Sequence, residues 1–138
     1  MTFIELLDAL SAAALAEPNI NRVSSKSIQE LNSIGNVDYA AIYLNLERVE
    51  TAQDANTFYM NVIYIDRIND SDDDHRIIQS VAITALNNIL NRFSARHIDV
   101  SLVYPYSITP FWQKYADVCS GAFATVGIVI PNFGDCYE

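Results

Sequence analysis

Hydrophobic positions change their period several times along the chain, and each change marks an element. Phe3, Leu6, Leu7, Leu10 and Ala14 recur at helical spacing behind Thr2-Phe3-Ile4-Glu5, which has the form of a capping box. In such a box the hydroxyl and the carboxylate each satisfy an amide that a helix start leaves orphaned. With Pro18 marking the exit, the spacing predicts a helix over about residues 3–16. A short second helix is expected over residues 24–34, where hydroxyl caps precede Ile28 and Leu31 and Gly35 stands where a left-handed C-terminal residue is usually wanted.

From residue 37 to 47 the period falls to two. Ala40, Ile42, Leu44 and Leu46 fall on one face, and Tyr39, Ala41, Tyr43 and Asn45 on the other. Residues 57–67 alternate again, with Phe58, Met60, Val62 and Tyr64 opposite Tyr59, Asn61, Ile63 and Ile65. The two runs, joined by a polar loop over residues 50–56, are expected to form an antiparallel hairpin. The second run is apolar or aromatic on nearly every position of both faces. Such a strand needs cover on its second face, from helices or from another subunit.

Ile78, Val81, Ala82, Ala85, Ile89 and Phe93 then trace a long amphipathic helix of about 22 residues. Ile98, Val100, Leu102 and Tyr104 read as a third strand before Pro105, and residues 122–130 as a fourth that ends at Pro131. Between them, residues 107–119, with Pro110, Phe111 and Trp112, read either as an extended arm or as an irregular connection. Gly121 and Gly127 suggest a bulge or a close backbone approach. The sum is a single α+β domain over residues 1–138: one mainly antiparallel sheet of four or five strands, with an N-terminal helix and one long central helix packed on one face.

Charge narrows the function. The 17 acidic and 8 basic side chains give a formal net charge of -9, which disfavours wrapping a phosphate backbone. No apolar run reaches the length of a membrane span, and the start lacks the basic and small-residue features of a signal peptide, so a product made in the cytoplasm with no membrane contact is expected. Cys119 and Cys136 read as reduced, packed thiols, and the chain has no CxxC or Cys/His spacing for zinc.

The run from Asn69 to Asp74, with Asp66 and His75 beside it, is the one constellation of oxygen donors suited to a hard cation. It lacks the turn glycine and closing glutamate of an EF-hand loop. The simpler reading is a solvated helix start, where acids suit the exposed amides and the macrodipole. There is no nucleophile elbow, phosphate loop or dinucleotide fingerprint, and the four glycines are scattered. A protein without catalysis, cofactor or metal is expected. A hydrolase would have to build its site around residues 66–75, with Asp73 and His75. Eight tyrosines and six phenylalanines serve either a core or contact surfaces.

Two stretches carry a resemblance. Phe58-Tyr59-Met60-Asn61-Val62-Ile63-Tyr64-Ile65-Asp66-Arg67, with the acidic turn and the helix from Gln79 to Phe93 behind it, resembles small structural proteins of tailed bacteriophages. So does Tyr115-Ala116-Asp117-Val118-Cys119-Ser120-Gly121-Ala122-Phe123-Ala124-Thr125-Val126. The likeness is to tail-terminator, tail-completion and neck-ring proteins, including those of crAss-like gut phages, and follows the element order over residues 2–131. It implies a virion protein of the tail or neck, a hexameric or dodecameric ring between portal or connector and tail. Genomic DNA would pass through its lumen without sequence-specific contact, and the negative charge would keep that DNA from sticking. Tyr43, Tyr59, Tyr64 and Tyr104 are then candidates for subunit contacts, together with Asp66, Arg67, Phe111 and Trp112. The other reading is a small α+β module that binds a ligand or peptide without catalysis.

Overall fold

A computed structural model describes residues 2–18, 20–24, 40–67, 72–114 and 118–131. Helix α1 spans Phe3–Leu15 and opens with the capping box. Glu5 N–H donates to Thr2 Oγ1 at 3.2 Å, and Thr2 N–H donates to Glu5 Oε1 at 2.8 Å. That second bond, with help from the Thr2 hydroxyl, holds the Glu5 carboxyl below its ordinary pKa. Strand β1, Arg22–Ser24, follows at once. It stands where a short helix was expected to begin; the rest of that expectation lies outside the described residues.

The hairpin is present. Strands β2, Ala41–Thr51, and β3, Ala55–Arg67, pair antiparallel from Ala41↔Ile65 to Thr51↔Asn56. The connection is tighter than the polar loop expected, because Ala52 N–H already donates to the Ala55 carbonyl at 2.9 Å. Between Leu46 and Arg48 the register shifts by a bulge. One extra residue resets the alternation. Leu46 and Val49 therefore both lie on the face of Met60 and Phe58, while Arg48 joins Tyr59 on the other.

Helix α2, Asp72–Arg96, comes next. Ala82, Ala85, Leu86, Ile89, Leu90 and Phe93 form its buried stripe, recurring at the i, i+3, i+4, i+7 spacing of one helix face. Strand β4 is only Ser101–Leu102, strand β5 spans Ser107–Lys114 and strand β6 spans Val118–Pro131. The ambiguous arm is thus a strand, paired with β6 from Ser107↔Thr125 to Lys114↔Val118. Proline is tolerated there because β5 lies at the sheet edge. Side chains of α2 brace it: Gln79 Nε2 donates to the Phe111 carbonyl at 3.2 Å and the Tyr106 hydroxyl to Asn87 Oδ1 at 3.0 Å.

The six strands form one sheet in the order β1-β2-β3-β6-β4, with β5 on the same side of β6 as β4. Only β1 and β2 run parallel; the other pairings are antiparallel. Both helices share one core with Ile42, Leu44, Met60, Val62, Ala124 and Val126 from the strands. The α+β architecture with helices on one sheet face is as the sequence suggested, with six strands where four or five were expected.

Candidate functional site

Two surfaces emerge from this arrangement, the sheet face away from the helices with its flanking edges, and a groove at the helix layer.

The outer sheet face is not uniform. Ala41, Tyr43 and Ile65 alternate with core residues yet are themselves buried, outside the helix-side core. Next to them Ile63, Phe123 and Phe111 are half-buried, with the two phenyl rings 6.4 Å apart. A polar band follows, where Thr125 Oγ1 donates to Asn61 Oδ1 at 3.0 Å. Beyond it the face is charged and aromatic. The Arg48 guanidinium lies 4.0 Å over the Tyr59 ring and donates to Glu50 at 3.2 Å and to Glu47 at 2.8 Å. The Tyr59 hydroxyl donates to the other Glu50 oxygen at 3.3 Å. Hydrogen-bonding to Glu50 raises the pKa of Arg48 most; desolvation opposes it, and the charges of Glu50 and Glu47 add to the rise.

Gly121 and Gly127 permit close approaches to this face. A Cβ on Gly121 would overlap the Tyr64 carbonyl, whereas one on Gly127 would meet the Tyr59 ring and the Val103 side chain at 3.0 Å.

Among the described residues both flanks of the sheet carry free edges. β1 covers β2 only from Ala41 to Tyr43, so among the described residues the outer edge of β2 over residues 45–51 has no strand beside it. On the opposite flank β5 pairs with β6 alone. Leu46 and Val49 are each 39% exposed on the first edge.

The groove forms where the end of α1, the flank of α2 and β3 meet. Glu17, Pro18, Tyr64, Ser80, Val81, Thr84 and Ala85 line a cavity of about 230 Å³. Arg92 fixes its rim by donating to Glu17 Oε2 at 3.1 Å and to the Ala13 carbonyl at 2.8 Å, and Asn88 adds a bond to Glu17 Oε1 at 3.3 Å. Tyr64 is only 3% exposed. Its hydroxyl has no hydrogen-bond partner among the described residues. Burial first, then the negative charges of Asp66 and Glu17, push its pKa up to about 12, so it stays a neutral phenol.

These placements correct part of the expected contact set. Tyr43, at 2% exposed, and Tyr64 are covered by their own chain and offer a neighbouring subunit little surface. Alternation reveals which face a side chain takes, and here the chain itself supplies the cover that a second subunit was expected to give. Tyr59 is half-buried under Arg48, Asp66 is half-buried, and Tyr104 is 63% exposed with its ring 5.7 Å from that of Tyr106. Phe111 lies on the outer face beside Phe123. Arg67 and Trp112 pair through their backbones with Cys119 and Ser120, and their side chains lie outside the described residues.

The acidic run before α2 also lies outside them, apart from the backbone of the helix start. Among the described residues no group of His, Cys, Asp and Glu stands together as metal ligands do. Nor, among them, is any helix long and apolar enough to cross a membrane. Sequence reasoning missed the groove, whose residues come from three separate elements with no shared spacing. No protein-family model matches the sequence, and no curated protein matches it.

Proposed function

We propose that this protein is a non-catalytic structural subunit of a bacteriophage virion, assembling into a ring at the head–tail junction or in the tail. The observation that carries the reading is the pair of edges left free among the described residues on opposite flanks of one sheet, β2 over residues 45–51 and β5 over Ser107–Lys114. Two different edges meeting head to tail make a heterologous contact, which closes into a ring when the rotation per copy divides the circle. An isologous dimer would use the same edge twice and leave the other free.

The edges are guarded against indiscriminate pairing. Glu47, Arg48 and Glu50 with the bulge on β2, and Pro110 on β5, are devices that keep an isolated sheet from aggregating. A subunit that must stay soluble until its partner presents the right surface needs such guards. The half-buried Ile63, Phe111 and Phe123 add apolar area beside the edges, and the resemblance to tail-terminator and neck-ring proteins supplies the virion context. Portal or connector and tail proteins are the neighbours above and below, and genomic DNA passes through the lumen unread.

Native mass spectrometry and negative-stain imaging, on the protein alone and on particles purified from the infected host, test the reading. Closed rings of six or twelve copies are expected in one of the two samples, and Val49→Lys on the β2 edge should reduce them to monomers. A chain that stays monomeric alone and is missing from the particles would refute the proposal. The second reading, a small ligand-binding module, is favoured by the groove over Tyr64.

A further inference from the structure

Two polar groups that line the groove between α1, α2 and β3 are short of partners in complementary ways. Tyr64 is 3% exposed, and its phenol O–H has no acceptor among the described residues. The side chain of Glu17 is 10% exposed and accepts one bond on each oxygen, from Asn88 at Oε1 and from Arg92 at Oε2. A carboxylate has about four acceptor positions, so roughly two remain where little water reaches. Buried polar groups in folded proteins are almost always bonded, and a bare donor is costly.

We propose that this groove receives an uncharged carboxamide, carried either by a glutamine or asparagine side chain of another protein or by a free small amide. The inference goes beyond the ring reading and does not depend on it, since every lining residue belongs to one chain. A carboxamide holds a carbonyl oxygen and an NH2 group on one flat head. The carbonyl accepts from the Tyr64 O–H, and an amide N–H donates to a spare position on Glu17. Burial first, and then the charges of Asp66 and Glu17, keep the Tyr64 proton in place, so the phenol is a donor at neutral pH and the Glu17 carboxylate is near enough to be felt.

Other heads meet one group and fail the other. An ammonium has no acceptor and leaves the phenol O–H bare. A carboxylate has no donor and brings a second negative charge beside Glu17. An alcohol places one oxygen where water serves as well, so it gains only what its stem buries. Ser80 and Thr84 are exposed, so water satisfies their hydroxyls and they select nothing. Pro18, Val81 and Ala85 supply apolar wall for a short methylene stem. A volume of about 230 Å³ is small for a drug-sized ligand and ample for a four-carbon amide.

Two-dimensional amide NMR of the full chain decides the matter, with butyramide and Nα-acetyl-glutamine-N-methylamide as probes and n-butanol, butylammonium and butyrate as controls. At least one amide should saturate shifts in α2 around Val81 and Ala85, about fivefold or more tighter than every control, as expected when a hydrogen bond is added. Tighter binding of the glutamine derivative assigns the source to a protein; otherwise the source is a free amide. Tyr64→Phe, checked for folding by circular dichroism, should weaken the better amide by about fivefold. Val81→Trp, at a position 44% exposed, should block the groove and abolish binding while the fold survives, which guards against a folding defect in the first variant. No saturable shift from either amide, a control that binds as tightly, or unchanged affinity in either folded variant would overturn the proposal.

Discussion

The two ends of the β2–β3 hairpin are built from similar residues and meet opposite fates. At the end beneath the helices, Ala41 to Leu44 and the facing Val62, Tyr64 and Ile65 are buried, on the outer face as well as the inner. At the turn end the β2 side is open: Leu46 and Val49 reach past the helices, and the outer face carries Arg48 stacked on Tyr59 between two glutamates. The bulge at residue 47 separates the two regimes. An apolar alternation therefore does not by itself make a contact surface. The part that is covered stabilises the fold, and the part past the bulge is the more open to solvent.

That division can be broken most directly by truncation. Ile42→Ala removes a fully buried side chain at the covered end and should cost about 3–4 kcal/mol in denaturant unfolding, because the cavity adds to the lost transfer energy. Val49→Ala at the open end should cost under about 1 kcal/mol, since its side chain already meets water. Comparable losses at the two positions would mean that the open end is not open.

The glycines of β6 sharpen the same contrast. Gly121, opposite Ile65, faces backbone, so the methyl of Gly121→Ala cannot be accommodated by a side-chain rotation. A loss of roughly 3 kcal/mol, the upper part of the overpacking range, is expected in thermal unfolding. Gly127, opposite Tyr59, faces side chains that can yield, and Gly127→Ala should cost about 1 kcal/mol.

How far the chain announced this structure depends on whether local pattern or distant contact decides each element. The capping box, the stripe from Ala82 to Phe93 and the alternation in β2, β3 and β6 are local, and each element forms where its pattern lies. β5 was ambiguous because Pro110 interrupts its pattern, and what holds it is remote: the β6 ladder and Gln79, with Ser120 Oγ also donating to the Phe111 carbonyl at 3.1 Å. β1 was missed because three residues carry no period. The groove was illegible for the same reason, since Glu17, Tyr64 and Ser80 meet only once the helices dock. Even the residue expected at a subunit contact, Tyr64, was read on the correct face with the wrong neighbour.

Tyr64 also gives the covered end a signature in pH. Its pKa in the fold, about 12, lies above the ordinary value of 10.0, so the folded chain holds a proton that the unfolded chain releases first. Stability from this group is therefore complete below pH 10 and declines as pH rises from about 10 through 12. In urea titrations the wild type should lose more stability over that window than Tyr64→Phe. At neutral pH the variant should be at least as stable as the wild type, by up to about 1–3 kcal/mol, because a buried hydroxyl with no partner among the described residues costs the fold stability. A large neutral-pH loss would show that the hydroxyl is satisfied after all.

The smallest effect belongs to the open end. Arg48 touches Tyr59, Glu47 and Glu50, and on a simple tally of contacts it would rank among the better-connected side chains of the hairpin. Its side chain is 52% exposed, and the two carboxylates are about as open at 41% and 57%. Exposed ion pairs contribute about 0–1 kcal/mol and an exposed cation–π contact about 0.5–1 kcal/mol, against the entropy of holding a long side chain still. Arg48→Ala should therefore lower stability only slightly, and raising the salt concentration should shrink that difference further. The variant isolates what the open end does. If the edge joins neighbouring copies, Arg48→Ala leaves the unfolding midpoint of the monomer nearly unchanged while shifting the assembly equilibrium measured by sedimentation, because a charge removed from the edge alters the contact and not the core.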